Sequence, residues 1–226
     1  MRDLSCYIAI LKELAASSHA SAPDLADKIL RHMTCSSETD ASLMPTAQVY
    51  NIVISIWSKS FRKGGGKKCC EYLDSLWSLH VQAKDSRFVP LISSYISSIT
   101  ALSRMRNPDG AEQAEELLKD MTRLQHQYPE ISPNTICVNG VLNAWSKSGI
   151  QRGAATRCER LLDNMIREFE AGRTELQPDV TSFNTVLDAL AKSREVNAEN
   201  RAEALLRKME DLTSRNPSLS STCKPE

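Results

Sequence analysis

PDVTSFNTVLDALAKSREVNAENRAEALLRKM, residues 178–209, decides the fold. Phe183, Val186, Leu187 and Leu190 recur at i, i+3, i+4 and i+7, the apolar stripe of an amphipathic helix. Later in the same stretch Ala202, Leu205 and Met209 line one face of a second helix, because they stand seven, four and zero residues before its end. The small residue at the first of these positions lets a neighbouring backbone approach closely. The stretch is therefore one helix–turn–helix repeat.

Working outward, the second stripe returns at a fixed step. KILRHM, EYLDSLW, ELLKDM, RLLDNM and ALLRKM end at Met33, Trp77, Met121, Met165 and Met209, each 44 residues after the last. Ile29, Leu73, Leu117, Leu161 and Leu205 lie four residues upstream, and Ala26, Cys70, Ala114, Cys158 and Ala202 lie seven upstream. The first stripe returns as well, in VYNIVISIWSKS (49–60), SYISSITALSRM (94–105), CVNGVLNAWSKS (137–148) and SFNTVLDALAKS (182–193). A weaker first repeat aligns through Tyr7, Leu11 and Leu14. Pro45, Pro90, Pro133 and Pro178 stand just ahead of each first helix, where a missing N–H costs least. GGGKK (64–68), NPDG (107–110) and SGIQRG (148–153) read as the loops joining the two helices of a repeat. The boundaries fall at 1–44, 45–88, 89–132, 133–177 and 178–226. A repeat of this kind cannot bury its stripes alone, so the expected fold is all-α, an α-solenoid of about five stacked helix–turn–helix repeats in a single array.

Composition agrees with that class. Hydrophobic residues at 41% suffice for a continuous core, whereas 8 Gly, 9 Pro and 5% aromatics are too few for a loop-rich fold or a large β-sandwich. The 28 basic and 28 acidic residues cancel, which gives no global pull toward nucleic acid or an anionic membrane. No run approaches the ~20 apolar residues that span a bilayer, so no membrane association is expected. The opening MRDLSCYIAILKELAASS carries Asp3, Lys12 and Glu13, which suits neither a secretory nor an organellar leader. A targeting segment is thus either absent or outside this stretch of a longer protein. Cys6, Cys35, Cys69, Cys70, Cys137, Cys158 and Cys223 form no C-x-x-C pair, and His19, His32, His80 and His126 lie far apart. Buried thiols in a reducing compartment are expected, with no metal and no cofactor. No catalytic constellation accompanies the repeats, so no enzymatic activity is expected.

Two recurrences offer chemistry. Asn51, Asn139 and Asn184 each lie six residues past a repeat-opening proline, inside the helix rather than at its cap. An amide carries both donors and an acceptor, as reading a base edge requires; an amide satisfied by the neighbouring helix terminus is the plainer alternative. Eight residues on come Lys59, Arg104, Lys147 and Lys192, about 80° beyond two full turns and so near the same side. A cation at a helix C-terminus also complements the macrodipole. Acids are almost missing from these four first helices, where only Asp188 stands.

The repeat from Pro178 and the segment PNTICVNGVLNAWSKSG from Pro133 resemble the pentatricopeptide repeat. The likeness rests on Pro-Asp-Val-x-x-Phe-Asn opening the first helix, Ala-Lys-Ser closing it, and Ala-x-x-Leu-Leu-x-x-Met in the second. It departs in length, since the family's unit is about 35 residues. The tetratricopeptide Trp-x-x-Leu-Gly-x-x-Tyr signature is missing. The resemblance implies a right-handed superhelix whose first helices bind single-stranded RNA, one nucleotide per repeat. It implies that the base is read by the residue in the Asn slot together with the residue after the next repeat's proline. That second slot holds Thr46, Leu91, Asn134 and Asp179, and Asn139 with Asp179 is the one strong family pair, associated with uridine. Ile8 and Ile96 fill the Asn slot elsewhere and cannot hydrogen-bond a base. The basic residues at 59, 104, 147 and 192 would then approach phosphates. Also implied are a monomer in a mitochondrion or plastid, acting in RNA processing, stability or translation, with other proteins of an RNA-processing complex as further partners. A tetratricopeptide-like protein-binding scaffold is the second reading.

Overall fold

The computed structural model describes residues 3–17, 19–149 and 153–215, and Cys223 and loop residues 150–152 lie outside them. Among the described residues there are ten α-helices and no strand. They are α1 (Leu4–Ala16), α2 (Ala22–Ser37), α3 (Ala47–Lys59), α4 (Gly65–Ala83), α5 (Ile92–Ser103), α6 (Pro108–Leu124), α7 (Thr135–Ser146), α8 (Ala154–Glu170), α9 (Val180–Lys192) and α10 (Ala198–Arg215). The protein is all-α, and odd- and even-numbered helices are the first and second helices of the repeats. The chain divides into two compact units, Met1–Met105 and Arg106–Glu226. The division falls within repeat 89–132, so α5 belongs to one unit and α6 to the other. In the first unit α3 packs on α1, α2, α4 and α5; in the second α7 packs on α6, α8 and α9, and α9 on α8 and α10.

Each helix from α3 to α9 in the odd series begins two residues earlier than the stripe alone indicates. The reason is capping. Thr46, Leu91, Asn134 and Asp179 are the N-cap residues, so the prolines occupy the position before the cap rather than the first turn. Asn134 and Asp179 accept the backbone N–H of Cys137 and Ser182 at 3.1 and 2.8 Å, which satisfies donors the helix cannot. Two of the expected loops are largely helix: Gly64 is the N-cap of α4 at φ +84°, Gly65 to Lys68 lie in its first turn, and Asn107 caps α6 with Pro108 inside it. The second glycine of that helix is required by packing. A Cβ on Gly66 would stand 2.9 Å from the Leu102 and Met105 side chains and 3.1 Å from the Leu102 backbone of α5.

The even helices bury Met33, Met121 and Met165 as the 44-residue step predicts, with Trp77 and Met209 half-buried. Four residues upstream the outcome splits. Leu73 and Leu205 are buried there, but in α2, α6 and α8 the next residue, Leu30, Leu118 or Leu162, goes deepest, leaving Ile29, Leu117 and Leu161 half-buried. Three and four residues are both near one turn, so the tilt of the helix against its neighbour selects between adjacent leucines. A device outside the helices completes each core. A single 3-10 turn before each proline, at Ala41–Leu43, Ser86–Phe88, Pro129–Ile131 and Thr174–Leu176, inserts Leu43, Phe88, Ile131 or Leu176 as a buried plug.

Carboxylates stitch successive repeats. Asp27, Glu71, Glu115, Glu159 and Glu203 share one register on the even helices, 44 residues apart. Asp27 accepts from Trp57 Nε1 at 2.7 Å and from the Tyr72 hydroxyl at 2.6 Å, both on the following repeat. Glu115, 4% exposed, accepts from Trp145 Nε1 at 2.8 Å and faces Arg157 and Arg160 at 3.5 and 3.4 Å. Glu159 pairs with Arg201 and Asp163 with Lys208. A buried charge is tolerable only when so paired.

Candidate functional site

Core packing consumes most of each first helix and leaves one stripe open. On α3 it runs through Gln48, Asn51, Ser55 and Lys59, with Ile52, Val53, Ile54 and Ile56 all buried around it. The equivalent stripes are Ser93, Ile96, Thr100 and Arg104 on and just past α5, Ile136, Asn139, Asn143 and Lys147 on and just past α7, and Thr181, Asn184, Asp188 and Lys192 on α9. On each stripe the Asn slot and its cation stand eight residues apart. Asp188 is the single carboxylate on the four stripes.

The amides are held by the next repeat. Asn51 Oδ1 accepts from the Ser93 and Ser94 hydroxyls at 2.8 and 3.1 Å. Asn139 is held from both ends: its Nδ2 donates to Asp179 Oδ1 at 3.0 Å, and its Oδ1 accepts from the Ser182 hydroxyl at 2.7 Å. The two members of the strong sequence pair are therefore in contact, on neighbouring first helices. Their contact uses one Asn139 donor and leaves the second N–H and Asp179 Oδ2 without a hydrogen bond among the described residues. Asn184 is exposed and has no such partner among the described residues. Asn134, by contrast, spends its side-chain oxygen on its own helix cap. Ile8 and Ile96 are half-buried on their stripes.

The cations are engaged more than the sequence suggests. Lys59 Nζ donates to the Ala15 carbonyl of α1 at 3.4 Å, and Arg104 donates to the Ser58 carbonyl of α3. Each thereby satisfies a terminal carbonyl of the preceding first helix, the group with no partner inside its own helix. Lys192 pairs with Asp188, which also accepts from the Ser146 hydroxyl at the end of α7. Burial alone would raise the Asp188 carboxyl, but hydrogen bonds from Lys192 and Ser146 outweigh it and hold it below the usual carboxylate range, with Lys147 adding to the effect. Lys147 itself is exposed.

One residue of this face escaped the repeat reading. SKSF (58–61) and SKSG (146–149) are the same helix ending two repeats apart, and Phe61 stands where Gly149 does. Both take positive φ, +52° and +77°. Phe61 is 79% exposed, with the Arg104 guanidinium 4.5 Å from its ring centre.

The thiols divide. Cys69, Cys137 and Cys158 are buried as expected and Cys70 half-buried, but Cys6 and Cys35 are exposed, because they lie on the outer sides of α1 and α2. Burial pushes the Cys69, Cys70 and Cys158 thiols up to about 12 and Cys137 to about 11, so these four are poor nucleophiles. Among the described residues no group of three or more His, Cys, Asp or Glu could hold a metal ion, and no helix is long and apolar enough to cross a membrane. A cavity of about 720 Å³ lies between α6 and α8 with Val138 of α7 in its lining, floored by Leu118, Leu161 and Met165 and rimmed by Arg123, Arg160 and Arg167 together with Glu116 and Glu168. Set against protein-family models, curated proteins and solved structures, the chain matches none.

Proposed function

We propose that the protein is a pentatricopeptide-like α-solenoid, a right-handed superhelix whose first-helix stripes bind single-stranded RNA, one nucleotide per repeat. The observation that carries this reading is the Asn139–Asp179 contact on an open, polar stripe that ends in Lys147 and Lys192. Together the pair keeps an amide donor and a carboxylate acceptor for a base edge, and the cations offer charge to the phosphates. Repeats with Asn184 and Asn51 contribute a more weakly specified contact, and those with Ile8 and Ile96 pack against a base without reading it. By the same resemblance the targets are transcripts of a mitochondrion or plastid, and the protein acts as a monomeric platform for their processing, stability or translation.

A second reading, a protein-binding scaffold, is favoured by the arginine-rimmed cavity between α6 and α8, which suits an acidic peptide with apolar anchors. Titration with short single-stranded RNAs and with duplex DNA of equal length separates the two. The RNA reading expects binding to the single strands, a preference for uridine opposite Asn139 and Asp179, and weaker binding to the duplex. Equal binding to both, or none, overturns it.

A further inference from the structure

Phe61 sits in a conformation that a bulky side chain adopts only at a cost, in the slot that glycine fills at residue 149. It is not there for the core, since its ring is 79% exposed. Strain held by an exposed aromatic at a surface points to a role outside folding.

Its surroundings say what that role is. Arg104 lies flat enough over one side of the ring to bring its guanidinium carbon 4.5 Å from the centroid, and its hydrogen bond to the Ser58 carbonyl fixes it there. The other side of the ring faces solvent. The segment around it, SKSFRKGGGKK (58–68), carries five cations, and no acid occurs from residue 41 to residue 70. Three of those cations are committed, Arg62 to Asp24 at 2.6 Å, Lys68 to Glu71 at 2.8 Å and Lys59 to the Ala15 carbonyl at 3.4 Å. Lys63 and Lys67 are exposed with no ion pair among the described residues. A rigid aromatic face beside uncommitted lysines is the arrangement that holds single-stranded nucleic acid: the base stacks and the cations track the backbone. A duplex cannot use the face, because its bases are already stacked.

We propose that Phe61, backed by Arg104, is a stacking platform for one unpaired base of the bound strand, with Lys63 and Lys67 on the adjoining phosphates. The proposal rests on the RNA reading of the first-helix stripes and adds to it a contact beyond the Asn slots. It also reassigns Arg104, whose guanidinium supports the platform instead of reaching for a phosphate.

Phe61→Gly and Phe61→Leu test it, with affinity for a fluorescently labelled 12-nucleotide RNA and the thermal midpoint measured on each. Glycine accepts positive φ without strain, so Phe61→Gly is expected to keep or raise the midpoint while weakening binding about tenfold. Phe61→Leu, still apolar but without a π face, is expected to weaken binding as much. A parallel loss of midpoint and affinity in Phe61→Gly would make the residue structural and overturn the proposal. Full affinity in Phe61→Leu would do the same, by showing an apolar contact with no stacking. Wild-type affinity in both variants sinks the platform and leaves the Asn-slot reading intact, whereas a wild-type protein that binds no RNA ends both.

Discussion

At the scale of single residues, Asn139 and Asp179 show how one contact caps a helix and joins it to its neighbour. Asp179 Oδ1 accepts the Ser182 backbone N–H and Asn139 Nδ2 at 2.8 and 3.0 Å, so it caps α9 and ties it to α7 at once. Asp179→Ala removes a cap and strands the fully buried Ser182 hydroxyl's partner network. It is expected to cost about 1–2 kcal/mol in a urea titration. Asn184→Ala, at an exposed amide, is expected to stay within about 0.5 kcal/mol of wild type. A destabilisation of Asn184→Ala as large as that of Asp179→Ala would show a structural partner for that amide. The Asn slots were readable from the sequence because helical period alone fixes which side a residue faces. Their partners were not. Whether Asn51 meets Ser93 or a base depends on the axial offset between α3 and α5, which no local pattern encodes. Phe61 was readable in principle, as the odd member of an SKSF and SKSG pair, but only once the backbone at that slot is known to take positive φ.

At the scale of elements, spacing gave the helices and capping chemistry set their ends. The stripes located α3, α5, α7 and α9, yet the true starts lie at the residue after each cap, where side-chain oxygens of Asn134 and Asp179 replace missing helix acceptors. The 3-10 plugs ending at Leu43, Phe88, Ile131 and Leu176 carry one apolar residue each, too short a signal for any periodicity. Another tie between elements is a single carboxylate. Glu195, in the turn before α10, accepts from the Gly153 N–H at 2.7 Å and the Thr156 hydroxyl at 3.0 Å at the start of α8, and it pairs with Arg201. The Arg201 hydrogen bond, ahead of the Gly153 and Thr156 contacts, holds the Glu195 carboxyl below its ordinary value despite burial. A depressed carboxylate stabilises the fold above its unfolded pKa, about 4.3, and the contribution is lost as pH falls through the lower folded value. Glu195→Gln is therefore expected to lower the urea midpoint at pH 7 and to approach wild type by pH 3. A difference between the two proteins that persists unchanged at pH 3 would mean that the ionised group is not what ties α10 to α8.

For the whole molecule, the cancellation of 28 bases against 28 acids is the sum of local pairings rather than an absence of charge organisation. Acids on the even helices meet cations one repeat later, as Glu159 meets Arg201 and Asp163 meets Lys208 within the second compact unit. The first-helix stripes of α3, α5 and α7 carry no acid, so their cations face solvent without neutralisation from their own helices. Those cations are few, and several are already engaged: Lys59 with the Ala15 carbonyl, Arg104 with the Ser58 carbonyl, Lys192 with the Asp188 carboxylate. This number sets the salt dependence expected of the proposed RNA binding. Each phosphate neutralised on a single strand contributes about −0.7 to the slope of log K against log salt. Two engaged cations give about −1.4 and four give about −2.8. A slope in that interval is the expected result when affinity for a short single strand is measured across a salt series. Lys147→Ala, which removes a stripe cation with little structural commitment, is expected to reduce the slope by about 0.7. A slope steeper than about −5 would require more cations than the stripes and the Phe61 loop can supply, and would place the strand on the arginine-rich even helices instead.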